Sequence, residues 1–160
     1  FYYKSIEIFN GKHGGIYKMT PMISELFEEF EQLKTRKQKA EFLEKYKQNA
    51  MLKAVLQGTF DPNIDWCIEV PSYTPDDAPL GLNPSTLYME IPKCAVFVKG
   101  HPKSVGVKPK RLKELLIQVL ESMHPAESMI YEQMMKKKLK VKGLTEKLVL
   151  EVFPDLYRKV

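Results

Sequence analysis

The chain has 160 residues, 44% of them hydrophobic, 28% charged and 11% aromatic, with 25 basic against 20 acidic side chains. This is the composition of one globular domain, too apolar for a disordered chain and too short for a second core at roughly 100–200 residues per domain. No apolar run approaches the roughly 18–20 residues of a membrane helix, and two cysteines, Cys67 and Cys94, make no disulfide framework, so a cytoplasmic monomer without membrane association is expected.

The charge is unevenly spread. Residues 1–18 hold three basic and one acidic side chain, residues 19–60 seven and six, residues 61–100 two and six, and residues 101–160 thirteen and seven. A carboxy-terminal excess suits a polyanion-binding face, although a charge run equally describes a solvated helix surface.

In chain order, residues 1–18 stand apart. Phe1 is not an initiator, whereas Met19 and Met22 are natural starts. Gly14-Gly15 can be encoded by a purine-rich GGAGG, and only Ile16, Tyr17 and Lys18 separate it from Met19, the placement of a bacterial ribosome-binding site. Residues 1–18 are therefore expected to be a translated leader or disordered arm, leaving residues 19–160 as the domain. The alternative is a native arm with a strand through Tyr2, Tyr3, Ile6, Ile8 and Phe9. Neither reading implies secretion, because the stretch lacks the apolar core of a signal peptide.

From Ser24, the spacing of Ile23, Leu26, Phe27, Phe30 and Leu33, with Glu25, Glu28, Glu29 and Glu31 opposite, predicts an amphipathic helix. Thr35 and Gln38 form a capping box that opens a second helix, with Ala40, Leu43, Tyr46 and Ala50 as its inner stripe. A further helical turn runs through Leu52, Val55 and Leu56 to Gly58, which reads as a stop. Six of the eleven prolines fall between residues 61 and 92, so this stretch is a long connection, held down by Trp66, Ile68, Val70 and Tyr73. Cys67 to Val70 and Ala95 to Val98 are short apolar runs that suit either a strand or a buried helix. Pro109 then opens the most regular stripe, Leu112, Leu115, Leu116, Val119, Leu120 and Met123. His124-Pro125 starts another helix through Ala126, Met129, Ile130 and Met134 into Lys136, Lys137 and Lys138. Gly143 breaks the chain, and Thr145 caps a last helix with Leu148, Val149 and Val152. The expected fold is all-α, one multi-helix domain with a long proline-rich connection.

Catalytic and metal sites find little support. Cys67, Cys94, His101 and His124 lack metal-ligand spacing, so buried cysteines and cap or surface histidines are expected, with no metal and no cofactor. Neither a Walker pattern nor Gly-x-Gly-x-x-Gly occurs. The carboxy-terminal lysines differ in kind. Lys136, Lys137, Lys138, Lys140, Lys142 and Lys147 surround Gly143 and Thr145, combining a helix end, a turn and a helix start. Free amides and a capping hydroxyl at a helix start favour phosphate, and lysines beside them neutralise a nucleic-acid backbone without reading bases. The competing reading is a solvated lysine-rich helix end, whose cations suit the negative end of the helix dipole.

A resemblance bears on this choice. Residues 35–56, opening Thr35-Arg36-Lys37-Gln38-Lys39, resemble the first helices of the amino-terminal DNA-binding domain of phage-type ATP-dependent DNA ligases. Residues 131–156, with Lys138-Leu139-Lys140-Val141-Lys142-Gly143-Leu144-Thr145, are similar to its last two helices. The resemblance spans about residues 22–157, is weakest over 61–107, and is closest to small tailed-phage, cyanophage-like proteins made of this domain alone. In ligases the domain is helical and grips duplex DNA through phosphates and the minor groove, and adenylation belongs to a following domain with Lys-x-Asp-Gly. No aspartate here has lysine two residues before it, so no ligase activity is implied for this chain. The resemblance implies a non-catalytic binder of double-stranded DNA in the cytoplasm of an infected bacterial host, with a host or phage replication or repair protein as a further partner. Phosphate contact would fall to Lys140, Lys142, Gly143, Thr145 and Lys147. Two alternatives stand beside it: the amino-terminal portion of a longer ligase, and a protein-interaction factor on a ligase-like scaffold, with Trp66 and Tyr73 as anchors.

Overall fold

The computed structural model describes residues 21–158, so the expectations for residues 1–18 lie outside the described residues. Among the described residues the chain forms seven α-helices and one 3-10 helix. Helix α1 spans Ile23–Glu31, α2 Arg36–Lys45, α3 Ala50–Phe60 and α4 Leu87–Glu90. The 3-10 helix Ile91–Phe97 follows, then α5 Pro109–Glu121, α6 Pro125–Met135 and α7 Glu146–Val152. The fold is all-α around a single apolar cluster, and α6 is its central helix, packed on α1, α3, α4 and α5, while α2 pairs with α7.

Local chemistry sets the boundaries. Thr35 Oγ1 accepts from the Gln38 amide at 3.1 Å and Gln38 Oε1 accepts from the Thr35 amide at 3.2 Å, the reciprocal capping that opens α2. Asn49 caps α3 through the amides of Met51 and Leu52, which places Ala50 at an exposed first helical position rather than in the stripe of α2. His124 Nδ1 accepts from the Ala126 amide at 3.0 Å, and Pro125 supplies the preset first turn of α6.

The inner face of α6 differs from the expected stripe. Met129 is 55% exposed and Ala126 is exposed, whereas Glu127, Ser128, Ile130, Tyr131, Met134 and Met135 point inward. The buried polar pair explains the discrepancy. Glu127 accepts from the Ser24 amide at 2.8 Å and from the Leu87 amide at 3.0 Å, holding the first turns of α1 and α4, while Ser128 Oγ donates to the Leu120 carbonyl at 2.6 Å.

Gly58 is the second departure. It does not stop α3, which continues to Phe60; it admits a close approach. A Cβ at this position would lie 2.7 Å from Met134 Sδ and 3.0 Å from the Trp66 ring. Met134 is fully buried, so making room for a Cβ requires the surrounding core to repack. Gly58→Ala is thus expected to destabilise the protein by about 1–2 kcal/mol, overpacking outweighing the roughly 1 kcal/mol helix preference for alanine. A urea midpoint equal to or above that of the unmodified chain would show that the contact is slack.

The proline-rich connection is pinned throughout. Trp66 Nε1 donates to the Gly58 carbonyl at 3.2 Å, Tyr73 Oη to Glu132 at 2.7 Å, and the Thr74 amide to Glu121 at 2.8 Å. Of the two ambiguous apolar runs, residues 67–70 form neither strand nor helix and bend at Cys67 and Ile68, and Ile91–Phe97 is a 3-10 helix ending at Val98, which forms an isolated antiparallel bridge with Trp66. The 3-10 helix on one side of Val98 and the turn at Gly100, φ 82, on the other leave no extended residues to lengthen the bridge into a ladder.

Candidate nucleic-acid interface

Helix α6 ends in a Schellman motif: the Lys138 amide donates to the Gln133 carbonyl at 2.9 Å and the Lys137 amide to that of Met134 at 3.0 Å. Lys137 occupies the left-handed position at φ 60, where glycine is usual. Its ammonium turns inward and donates to the carbonyls of Gly58 at 3.1 Å, Asp61 at 2.6 Å and Ile64 at 2.9 Å. Burial lowers the Lys137 pKa below the ordinary lysine value, with Asp61 and Asp65 pulling the other way. Lys137 therefore closes the end of α3 and does not face a phosphate.

Lys136 is also engaged. Its ammonium lies 2.8 Å from Glu132, which accepts from Tyr73 as well. Burial pushes the Glu132 carboxyl up, but these two bonds outweigh it and hold it below the usual value. Burial and Glu132 together raise the Tyr73 hydroxyl. Trp66 and Tyr73 thus have their polar atoms engaged within the fold, with their rings half-buried. Lys136 and Val70 line both of two grooves of about 500 and 450 Å³, the first also lined by Trp66 and Cys67, the second by Tyr73 and Pro75.

The turn beyond is built into the molecule rather than left open. Thr145 accepts from the Leu148 amide at 3.2 Å, and Glu146, which accepts from Tyr157 at 2.6 Å, supplies a carboxylate at the start of α7. The Lys142 amide donates to Glu31 at 2.9 Å. Gly143, at φ 84, is covered by Lys39: a Cβ there would meet Lys39 Nζ and lie 2.7 Å from its Cε. Lys39 also lies 5.8 Å above the Phe30 ring. The Thr145 hydroxyl is accordingly taken up by the Leu148 amide, and Gly143 lies under the Lys39 side chain.

What remains facing water is ammonium charge. Lys138, Lys140, Lys142 and Lys147 are exposed and join no ion pair among the described residues. The fold adds a second row that charge summed by segment hides. Residues 32–40 contain Lys34, Arg36, Lys37 and Lys39 and no acid. The Glu31–Lys142 bond, the Lys39–Gly143 contact and the Arg36–Glu151 pair at 2.7 Å bring the start of α2 against the 138–147 turn. The Arg36 hydrogen bond draws Glu151 below the usual carboxylate value. The available chemistry is electrostatic attraction for a polyanion.

Among the described residues no cluster of three or more His, Cys, Asp or Glu could hold a metal ion. No described helix is long and apolar enough to cross a membrane. The family of unknown function DUF6433 matches residues 26–141, and the chain belongs to it. None of the curated proteins matches the chain.

Proposed function

We propose that this member of DUF6433 is a non-catalytic DNA-binding protein that grips duplex DNA through backbone phosphates, without strong sequence preference. The observation that carries the reading is the two-row basic surface, in which Lys34, Lys37 and Lys39 from the start of α2 meet Lys138, Lys140, Lys142 and Lys147. Ammonium groups on flexible stems attract phosphate as point charges and do not distinguish bases. The resemblance to the phage-type ligase domain supports the same reading, with a setting in the cytoplasm of an infected bacterial cell. An interleaved set of exposed aromatics, on which single-stranded bases would stack, is not part of this surface. The sequence has no Lys-x-Asp-Gly, so the reading assigns the chain a grip and no adenylation chemistry.

Gel-shift titration of a short duplex tests it. Lys142→Ala with Lys147→Ala is expected to weaken binding by about tenfold, and equally for unrelated sequences, because phosphate contacts carry no base information. Sequence-dependent loss, or no loss, would remove these lysines from the interface.

A further inference from the structure

A second basic surface lies on the approach to α5 and its first turn. Between residues 91 and 113 the chain has seven basic side chains and no acidic one, Glu114 being the first acid that follows. Lys93 is paired with Glu90 at 3.7 Å and Arg111 with Glu114 at 3.4 Å. Lys99, Lys103, Lys108, Lys110 and Lys113 are exposed and join no ion pair among the described residues. Surfaces that serve only solubility mix both signs, and a one-sign stretch raises self-repulsion.

The backbone beneath these charges is fixed. Ser104 is 6% exposed, and its hydroxyl donates to the carbonyl of His101 at 2.9 Å. The amides of Ser104 and Val105 return to the same carbonyl at 2.9 and 3.0 Å. Gly100 and Gly106, at φ 82 and 87, make the turns on either side. The first turn of α5 then presents Lys110 and Arg111 with no acid and no side-chain cap. Cations at the positive end of a helix are unfavourable, a local penalty of the kind that functional surfaces carry.

The segments that carry the two basic surfaces are joined through the backbone of Ile64 and Asp65. Lys137 holds the Ile64 carbonyl at 2.9 Å, and the next carbonyl, that of Asp65, accepts from the Lys99 amide at 2.7 Å. The end of α6 and the start of the 99–113 segment therefore meet across residues 64–65.

We infer that Lys99, Lys103, Lys108, Lys110 and Lys113, with Arg111, form a second phosphate-binding surface, and that duplex DNA on the first surface continues over the start of α5. The inference rests on the DNA-binding reading and extends its footprint. Duplex DNA is the occupant that fits, because its phosphates form an extended row of like charge matching a row of cations. An anionic lipid surface would also attract the lysines, but the only large apolar side chain exposed in this stretch is Val105.

The test compares duplex affinity across salt for the full chain, for Lys108→Ala/Lys110→Ala/Arg111→Ala/Lys113→Ala, and for Lys108→Arg/Lys110→Arg/Lys113→Arg. The alanine variant should bind at least about tenfold more weakly at low salt, with a log–log salt slope shallower by about 3, and the arginine variant should keep the slope. Melting curves establish that both variants fold. Unchanged affinity and slope in a folded alanine variant, while the unmodified chain binds duplex, would overturn the second surface and leave the first intact. No duplex binding by the unmodified chain would overturn both readings. Loss of binding to phosphatidylserine vesicles with duplex binding unaltered would assign the surface to a membrane and overturn the inference.

Discussion

Glu127→Ala is expected to cost about 3–5 kcal/mol of folding stability, enough to unfold much of a marginally stable domain. The side chain is completely buried, and each carboxylate oxygen accepts one backbone amide, Ser24 at 2.8 Å and Leu87 at 3.0 Å. Both amides belong to first helical turns, where the helix itself supplies no acceptor. Alanine leaves two buried donors unsatisfied and a cavity beside them. Glu127→Gln should cost less, about 1–3 kcal/mol, because it removes a buried charge but turns an amide NH2 toward a backbone N–H. The pH dependence carries its own sign. Burial raises the Glu127 carboxyl above the usual range, only partly countered by the amides of Leu87 and Ser24. A raised folded value means that this contribution is fully present below the unfolded pKa and falls as pH rises through the folded one. The stability gap between the unmodified chain and Glu127→Gln should therefore narrow from acidic toward neutral pH in urea titrations. A gap that widens would show that the two amide bonds dominate burial.

Lys137→Ala should cost about 2–3 kcal/mol, since three carbonyls at the end of α3 lose a charged donor. Lys137→Gly separates the two roles of the residue. It loses the same three bonds but relieves a left-handed backbone at φ 60, so it should be about 1 kcal/mol more stable than the alanine variant. Thermal unfolding measures both. Equal stability of the two variants would mean that the backbone at this position carries no strain, and a Lys137→Ala protein as stable as the unmodified chain would free the ammonium for a phosphate. Any affinity lost by these variants should follow the loss of fold, unlike that lost by Lys142→Ala.

The helices were legible in the sequence because their signals are local. The Thr35 and Gln38 box, Pro109, His124-Pro125 and Thr145 each act within one turn of the residue they cap. The departures came from long-range partners. Gly58 reads as a stop until Met134 and Trp66 are placed against it, and nothing local to Glu127 marks it as the side chain on which the Ser24 and Leu87 amides converge. The candidate interface was half legible for the same reason. The lysine run near Gly143 is contiguous, but nothing in the sequence separates Lys137, which turns inward, from Lys138, which is exposed. The start of α2 was hidden because residues 19–60 average the acids of α1 with Lys34, Arg36, Lys37 and Lys39. Division at residue 100 likewise cut the acid-free stretch 91–113 in two.

Salt dependence of duplex affinity is the decisive measurement for DNA binding through phosphates, because contact with phosphates releases counterions in proportion to the number neutralised. With five or more lysines at the backbone, log affinity plotted against log salt should fall with a slope of about −4.5 or steeper, the same for unrelated sequences. A slope near zero, or no measurable duplex binding at low salt, would contradict it.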